Sequence, residues 1–255
     1  MKKKNLLKVK LKKGEVVFGT WVVIPSPTLV EVLGMAGLDF IIIDLEHGPM
    51  TYETSEDMIR ASELVGCTPL LRVPHNSDHE ILRGLEIGAH GITVPKVENL
   101  AEARVAIQAI KYAPEGNRGV SAFTRSSGYF AVDEANRTQK ANDEVLTIIL
   151  LESLEAINNL DSIIDSSGID VIYIGTYDLS QSLGETDNLY SSEIMKILEV
   201  TVKKVRDKGI AAGVLAQSED DIRLWTDLGI QFIPFLVDCG IIYNSVQKLF
   251  KDFKK

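Results

Sequence analysis

Hydrophobic positions along the chain gather into eight short, β-branched runs set between longer amphipathic stretches. The runs are VVFGTWVVI (16–24), DFIIID (39–44), TPLLRV (68–73), GITVPKV (91–97), LTIILLE (146–152), DVIYIG (170–175), AAGVLA (211–216) and FIPFLV (232–237). They are apolar on both faces, as strands of a parallel sheet covered by helices should be. The stretches between them have helical spacing. PTLVEVLGMAG carries Leu29, Val30, Leu33 and Met35, and TSEDMIRASELVG opens on Thr/Ser with acids in its first turn and stops at Gly66. SEIMKILEVTVKKVRDKG repeats Ile194, Ile197, Leu198, Thr201, Val202 and Val205 on one face and stops at Gly209. A glycine that ends a helix and turns straight into a strand recurs in AGLDF, GAHGI, SGIDV and LGIQF.

Eight strands alternating with helices over 255 residues is the count of a (β/α)8 TIM barrel, here one domain spanning 1–255. An open doubly wound sheet competes, but no strand leads into a G-x-G-x-x-G or a P-loop. The longest irregular stretch, 113–135, is expected to be functional or mobile.

Composition narrows the partners. A net charge of −9 argues against a sequence-independent grip on nucleic acid. The basic opening MKKKNLLKVKLKKG has no continuous apolar core, so it reads as the solvated start of a helix rather than a secretory leader or membrane anchor. No run approaches the ~18 apolar residues of a membrane span. Cys67 and Cys239 stand far apart without metal-type spacing and read as small hydrophobes in a reducing compartment. The expectation is a cytoplasmic protein.

In a barrel, chemistry belongs at the C-terminal ends of the strands. There the chain places Asp44, Glu46 and His47 after strand 2, Arg72 at the end of strand 3 and Lys96 after strand 4. Glu152 ends strand 5, Asp178 follows strand 6 and Asp238 follows strand 8. Each has a plainer reading: Asp178 and Asp238 suit helix caps, Arg72 and Glu152 could be a structural pair, and a lone histidine is more often structural than catalytic. His75, His79 and His90 follow no strand directly and are left as structural. The set is stronger than its members. Two carboxylates, Glu152 and Asp178, suit a hard divalent ion that keeps open positions, Mg²⁺ or Mn²⁺ by ligand type. An arginine beside it suits an oxyanion, and His47 backed by Asp44 suits proton transfer near neutral pH. Glu46 is expected to support the site rather than bind metal.

The segments GTWVVIPSPTLVEVLGMAGLDFIIIDLEHGP, LLRVP, GITVPKVENLAEA, YAPEGNRGV, LESLEAINNLDSI, GIDVIYIGTYDLSQSLG and LGIQFIPFLVDCGII together resemble the HpcH/HpaI family of class II 2-oxo acid aldolases over about residues 15–250. The resemblance implies a barrel of the phosphoenolpyruvate/pyruvate type, with Mg²⁺, Mn²⁺ or Co²⁺ on Glu152 and Asp178. Pyruvate would chelate that ion, with amides around Thr176, Tyr177 and Asp178 seating its carboxylate. Arg72 would steady the enolate oxygen, and His47, oriented by Asp44, would move the proton on the aldehyde. The implied reaction is reversible retro-aldol cleavage of a 4-hydroxy-2-oxo acid to pyruvate and an aldehyde. Relatives of this kind are typically hexamers. The final helix, with Ile242, Val246, Leu249, Phe250 and Phe253 on one face, would dock on a neighbouring subunit or cover its own barrel. Three departures stand out: Leu150 where many relatives carry Gln, Thr176 where they carry Pro, and Lys96 where they carry an uncharged residue, which would bias the mouth towards an acidic acceptor. One rival is citrate-synthase-like or acyl-CoA lyase chemistry, with Arg118, Arg125 and Lys96 serving a polyanionic acceptor. A non-catalytic binding barrel is a second rival, which retention of His47, Arg72, Glu152 and Asp178 disfavours.

Overall fold

The computed structural model describes residues 4–130, 136–185, 188–251 and 253. All eight apolar runs form strands: β1 (Val17–Val22), β2 (Phe40–Asp44), β3 (Thr68–Arg72), β4 (Gly91–Val94), β5 (Leu146–Leu151), β6 (Val171–Ile174), β7 (Ala211–Gly213) and β8 (Phe232–Val237). Each pairs in parallel with the next, and β8 returns to β1 to close the expected barrel. The helices are α1 (Leu6–Lys12), α2 (Pro27–Met35), α3 (Tyr52–Leu64), α4 (Asp78–Glu86), α5 (Leu100–Ile110), α6 (Arg137–Glu144), α7 (Leu154–Asn158), α8 (Leu160–Ile164), α9 (Thr176–Ser182), α10 (Ser192–Asp207), α11 (Glu219–Asp227) and α12 (Asp238–Phe250).

Period-two alternation in each strand splits the apolar residues between two cores. Ile41, Ile43, Leu71, Ile92, Ile149 and Ile172 face outward to the helices. Trp21, Phe40, Ile42, Leu70, Ile148, Leu150, Tyr173 and Phe232 fill the barrel itself, with Phe40 and Phe232 stacked 4.1 Å apart. The interior is therefore solid, and the strand C-terminal ends stand on it as on a floor.

The opposite end is closed by α1. The basic opening is not simply solvated, because Leu7 and Leu11, one turn apart, bury into the interior cluster. Lys8 follows them in, bonding to the Val145 carbonyl at 2.7 Å and pairing with Asp170 at 3.0 Å. The final helix departs from one of its two expected forms. Ile242, Val246, Leu249 and Phe250 on α12, and Phe253 beyond it, stay exposed, so this face does not cover its own barrel.

The loop after α5 is described as far as residue 130, and 131–135 lie outside the described residues. Arg125 pins it by pairing with Glu63 and bonding to the Ile87 carbonyl. Gly88 has a φ of +104°, and a Cβ there would lie 2.0 Å from the tip of Arg125, so any other residue would be strained and would push the guanidinium aside. His90 holds the other oxygen of Glu63 at 2.8 Å. Burial pushes the Glu63 carboxyl up, but the bonds from His90 and Arg125 override it and hold its pKa at about 2. The stabilisation from ionised Glu63 is therefore complete above its ordinary value of 4.5 and lost as pH falls towards 2. Glu63→Gln is expected to lower stability at neutral pH by about 1–2 kcal/mol. It should also flatten the acid limb of the stability curve, read by thermal unfolding against pH.

Candidate active site

The closing of the sheet builds the site. Asp44 and Arg72 are ladder partners at the ends of β2 and β3, so their side chains rise side by side. Arg72 Nε donates to Asp44 Oδ1 at 2.8 Å and Nη2 donates to Oδ2 at 2.6 Å, a bidentate fork with both groups buried. The third nitrogen, Nη1, lies 3.2 Å from Glu46 Oε2, an ion pair that spares an oxygen otherwise without a hydrogen-bond partner. Below the fork, the guanidinium sits 4.5 Å over the Trp21 ring. Trp21 Nε1 in turn donates to the Tyr173 hydroxyl at 3.3 Å. Burial opposes the Arg72 charge, but bonding to Asp44 and the fields of Asp44, Glu46 and Glu152 outweigh it and raise its pKa.

Glu152 follows β5 directly and sits largely buried across the mouth. Its Oε2 accepts the backbone N–H of Lys96 at 2.9 Å. A Cβ on Gly175 would come within 2.8 Å of Glu152 Cγ, so the glycine before α9 makes space for this carboxylate. Burial raises the Glu152 pKa, and the nearby charges of Asp178 and Glu46 add to it against the Lys96 amide and Arg72. Asp178 stands exposed in the first turn of α9, beside buried Thr176 and exposed Tyr177. Leu150 lies one layer below Glu152 in the barrel interior, as expected, beside its ladder partner Tyr173.

The donor set fits a hard divalent cation. A half-desolvated carboxylate with raised pKa and further acids nearby is a place where a cation relieves repulsion. Among the described residues no three His, Cys, Asp or Glu side chains gather as a ligand set. A metal held by Glu152 and Asp178 would thus keep most of its sphere for water and substrate oxygens, the habit of Mg²⁺ rather than of a closed zinc site.

Several expectations change. Asp44 reaches the main-chain N–H groups of Glu46 and His47, at 3.0 and 3.2 Å, rather than the His47 imidazole. Both its oxygens are taken by Arg72, so the acid fixes the loop that carries the exposed histidine. Asp238 accepts the N–H groups of Val23 and Ile24, which makes it the tie between β8 and the β1 end. Arg118 and Arg125 do not reach the mouth. Arg118 is buried over the Tyr112 ring and bonds Glu86, and Arg125 binds Glu63. Those acids end α4 and α3, where the strands begin rather than where they end. A cavity of about 620 Å³ also lies there, lined by Lys4, Glu63, Arg125, Tyr129, Lys140 and Glu144 among others. It holds none of the strand-end carboxylates. Trp21 and Tyr173, which form the floor under Arg72, carried no signal beyond inward-facing aromatic positions on strands 1 and 6.

Comparison with known proteins agrees with the geometry. The family model described as HpcH/HpaI aldolase/citrate lyase matches residues 17–244. The chain is 32% identical over 252 residues to hydroxypyruvate/pyruvate aldolase of Roseobacter denitrificans, covering 98% of each. It is also 32% identical over 251 residues to 5-keto-4-deoxy-D-glucarate aldolase of Escherichia coli K12, covering 98% of this chain and 97% of the other. Among solved structures, the citrate synthase SbnG superposes with a TM-score of 0.87 at 29% identity, covering 97% of both chains.

Proposed function

Because the chain belongs to the HpcH/HpaI aldolase/citrate lyase family, and is thus an aldolase and a carbon–carbon lyase, we propose that it cleaves a 4-hydroxy-2-oxo acid reversibly to pyruvate and an aldehyde. The observation that carries the reading is the pairing of a doubly anchored Arg72 with the carboxylates of Glu152 and Asp178 on one barrel floor. A divalent ion, Mg²⁺, Mn²⁺ or Co²⁺, held by Glu152 and Asp178 would act as Lewis acid towards the keto acid.

The chain's own residues do the rest. In the cleavage direction His47 takes the proton of the 4-hydroxyl group and the C3–C4 bond breaks. The aldehyde leaves, and the electron pair passes into an enolate on the three-carbon fragment. Arg72 meets the negative charge that develops on the enolate oxygen; Asp44 and Glu46 hold its guanidinium in place, so no reorganisation is needed as charge grows. Protonation of the terminal carbon then gives the pyruvate methyl group. First-turn amides of α9, at Thr176, Tyr177 and Asp178, point out of the helix N-terminus and suit the substrate carboxylate. The exposed apolar face of α12 is proposed to pack against a second copy in a homo-oligomer, by family resemblance a hexamer.

The test is exchange of the pyruvate methyl protons with deuterium, followed by NMR with and without EDTA. Metal-dependent exchange is the expected result. Its absence in protein that binds metal, or metal-independent condensation of oxaloacetate with acetyl-CoA, would overturn the assignment.

A further inference from the structure

Tyr173 carries a hydrogen-bond donor that the protein itself leaves unused. The residue lies on β6 at 4% exposure, and its ring is fixed by its neighbours. It meets the rings of Trp21 and Phe232 edge to face, with centroids 5.6 and 6.3 Å away. On the β7 side its ladder partner is Gly213, where a Cβ would come within 3.0 Å of the ring. The hydroxyl oxygen accepts the Trp21 indole N–H at 3.3 Å. A phenol also has a proton to give, and among the described residues nothing accepts it. Burial pushes the pKa of the group up, so at neutral pH the proton stays on the oxygen.

A buried donor without an acceptor is destabilising, and the chemistry of a site is one of the few reasons to keep it. The place of Tyr173 in the barrel supplies that reason. It is in register with Leu150, one layer below Glu152. The next inward position along its own segment is Gly175, whose missing side chain leaves room for the Glu152 carboxylate and puts nothing between the ring and the mouth. The charges acting on the phenol include those of Arg72 and Glu152. Arg72 rests on the face of the same indole that bonds to the hydroxyl. Donation from Trp21 polarises that hydroxyl and strengthens the bond it gives onward. The acceptor this arrangement suits is an oxygen that gains negative charge during the reaction.

We propose that Tyr173 is a further catalytic residue, whose hydroxyl donates a hydrogen bond to an oxygen of the bound keto acid, a bond that tightens as the enolate forms. The inference rests on the pyruvate aldolase reading and adds a neutral donor from the barrel floor to the charge of Arg72 above it. Tyr173 donates without giving up its proton, so nothing has to reload it between turnovers.

The test measures pyruvate methyl exchange with Mg²⁺ in wild type, Tyr173→Phe, Trp21→Phe and the double variant. Calorimetry of Mn²⁺, and then of oxalate as a planar dianion resembling the enolate, accompanies it. Tyr173→Phe is expected to slow exchange and weaken oxalate binding about tenfold each, the scale of one hydrogen bond to a charged group. Mn²⁺ affinity should not change, because Glu152 and Asp178 are untouched. Tyr173→Phe also orphans the Trp21 N–H, so the Trp21→Phe background decides whether the hydroxyl acts directly. There the added Tyr173→Phe should still lower exchange and oxalate affinity, and this pair serves if Tyr173→Phe alone folds poorly. Wild-type values in Tyr173→Phe, a loss that vanishes once Trp21 is replaced, or a matching fall in Mn²⁺ affinity each overturn the inference. Wild-type exchange separates the two levels: its absence removes the aldolase reading, whereas exchange that Tyr173→Phe leaves unchanged removes only the role of Tyr173.

Discussion

Arg72→Ala is expected to abolish pyruvate methyl exchange, with a loss of at least about a hundredfold, the scale of removing one preorganised donor from a developing oxyanion. The reason lies in how the guanidinium is held. Three nitrogens are fixed by Asp44 and Glu46, and its face is stacked on Trp21. Little of its freedom is left to lose when the enolate forms. The substitution also strands two largely buried carboxylates, so a stability loss of about 3–5 kcal/mol accompanies it. Two measurements separate these effects. Added guanidinium ion should restore part of the exchange in Arg72→Ala if the role is electrostatic. Arg72→Lys, which keeps the charge but cannot form the fork, should recover stability more than exchange. Wild-type exchange in a folded Arg72→Ala protein would leave Arg72 a purely structural partner of Asp44.

The barrel could be read from the chain because parallel strands buried on both faces leave an unmistakable run, and eight such runs fit one closed topology. Strand 7 is the weakest of them: AAGVLA offers small side chains, and only Ala211–Gly213 forms a continuous ladder. The strand-end residues were also visible one by one. What the chain could not show is which of them meet. Asp44 stands three residues from His47 in sequence, which suggested that the acid orients the ring. Closing the sheet instead puts Asp44 in register with Arg72, and a bidentate fork takes both its oxygens. Sequence proximity lost to ladder geometry.

The misplacement of Arg118 and Arg125 has a simpler cause, and a signal for it was present. Each helix runs antiparallel to its strand, so a long loop that follows helix α5 starts at the face where strands begin. Charge and length suggested a substrate loop, whereas direction of travel puts it at the far end, where Glu63 and Glu86 receive the arginines. The positive φ of Lys96 had no sequence signal at all. Nothing in VPKVEN marks a left-handed lysine, and the carboxylate that its N–H meets lies 56 residues further on, just past β5.

Glu152→Gln should separate stability from function in opposite directions. Gln has nearly the shape of Glu and its amide oxygen can still accept the Lys96 N–H, so the packing against Gly175 survives. What disappears is a charge that the folded protein tolerates poorly, as the raised pKa records. Because folding raises this pKa, metal-free protein keeps the associated stability below the ordinary value of 4.5 and loses it as pH rises through the folded value. Glu152→Gln removes that slope, so in EDTA its melting temperature at neutral pH is expected to exceed that of wild type. Its affinity for Mn²⁺, read by calorimetry or by the signal of the free ion, should fall at least about a hundredfold, since losing a ligand costs no less than losing the support of one, and exchange should fall with it. A variant that melts lower than wild type in EDTA, yet binds Mn²⁺ as tightly, would make Glu152 a structural acceptor for the β4 loop. Conversely, higher stability with lost metal binding is the mark of a carboxylate kept in an unfavourable place for its chemistry.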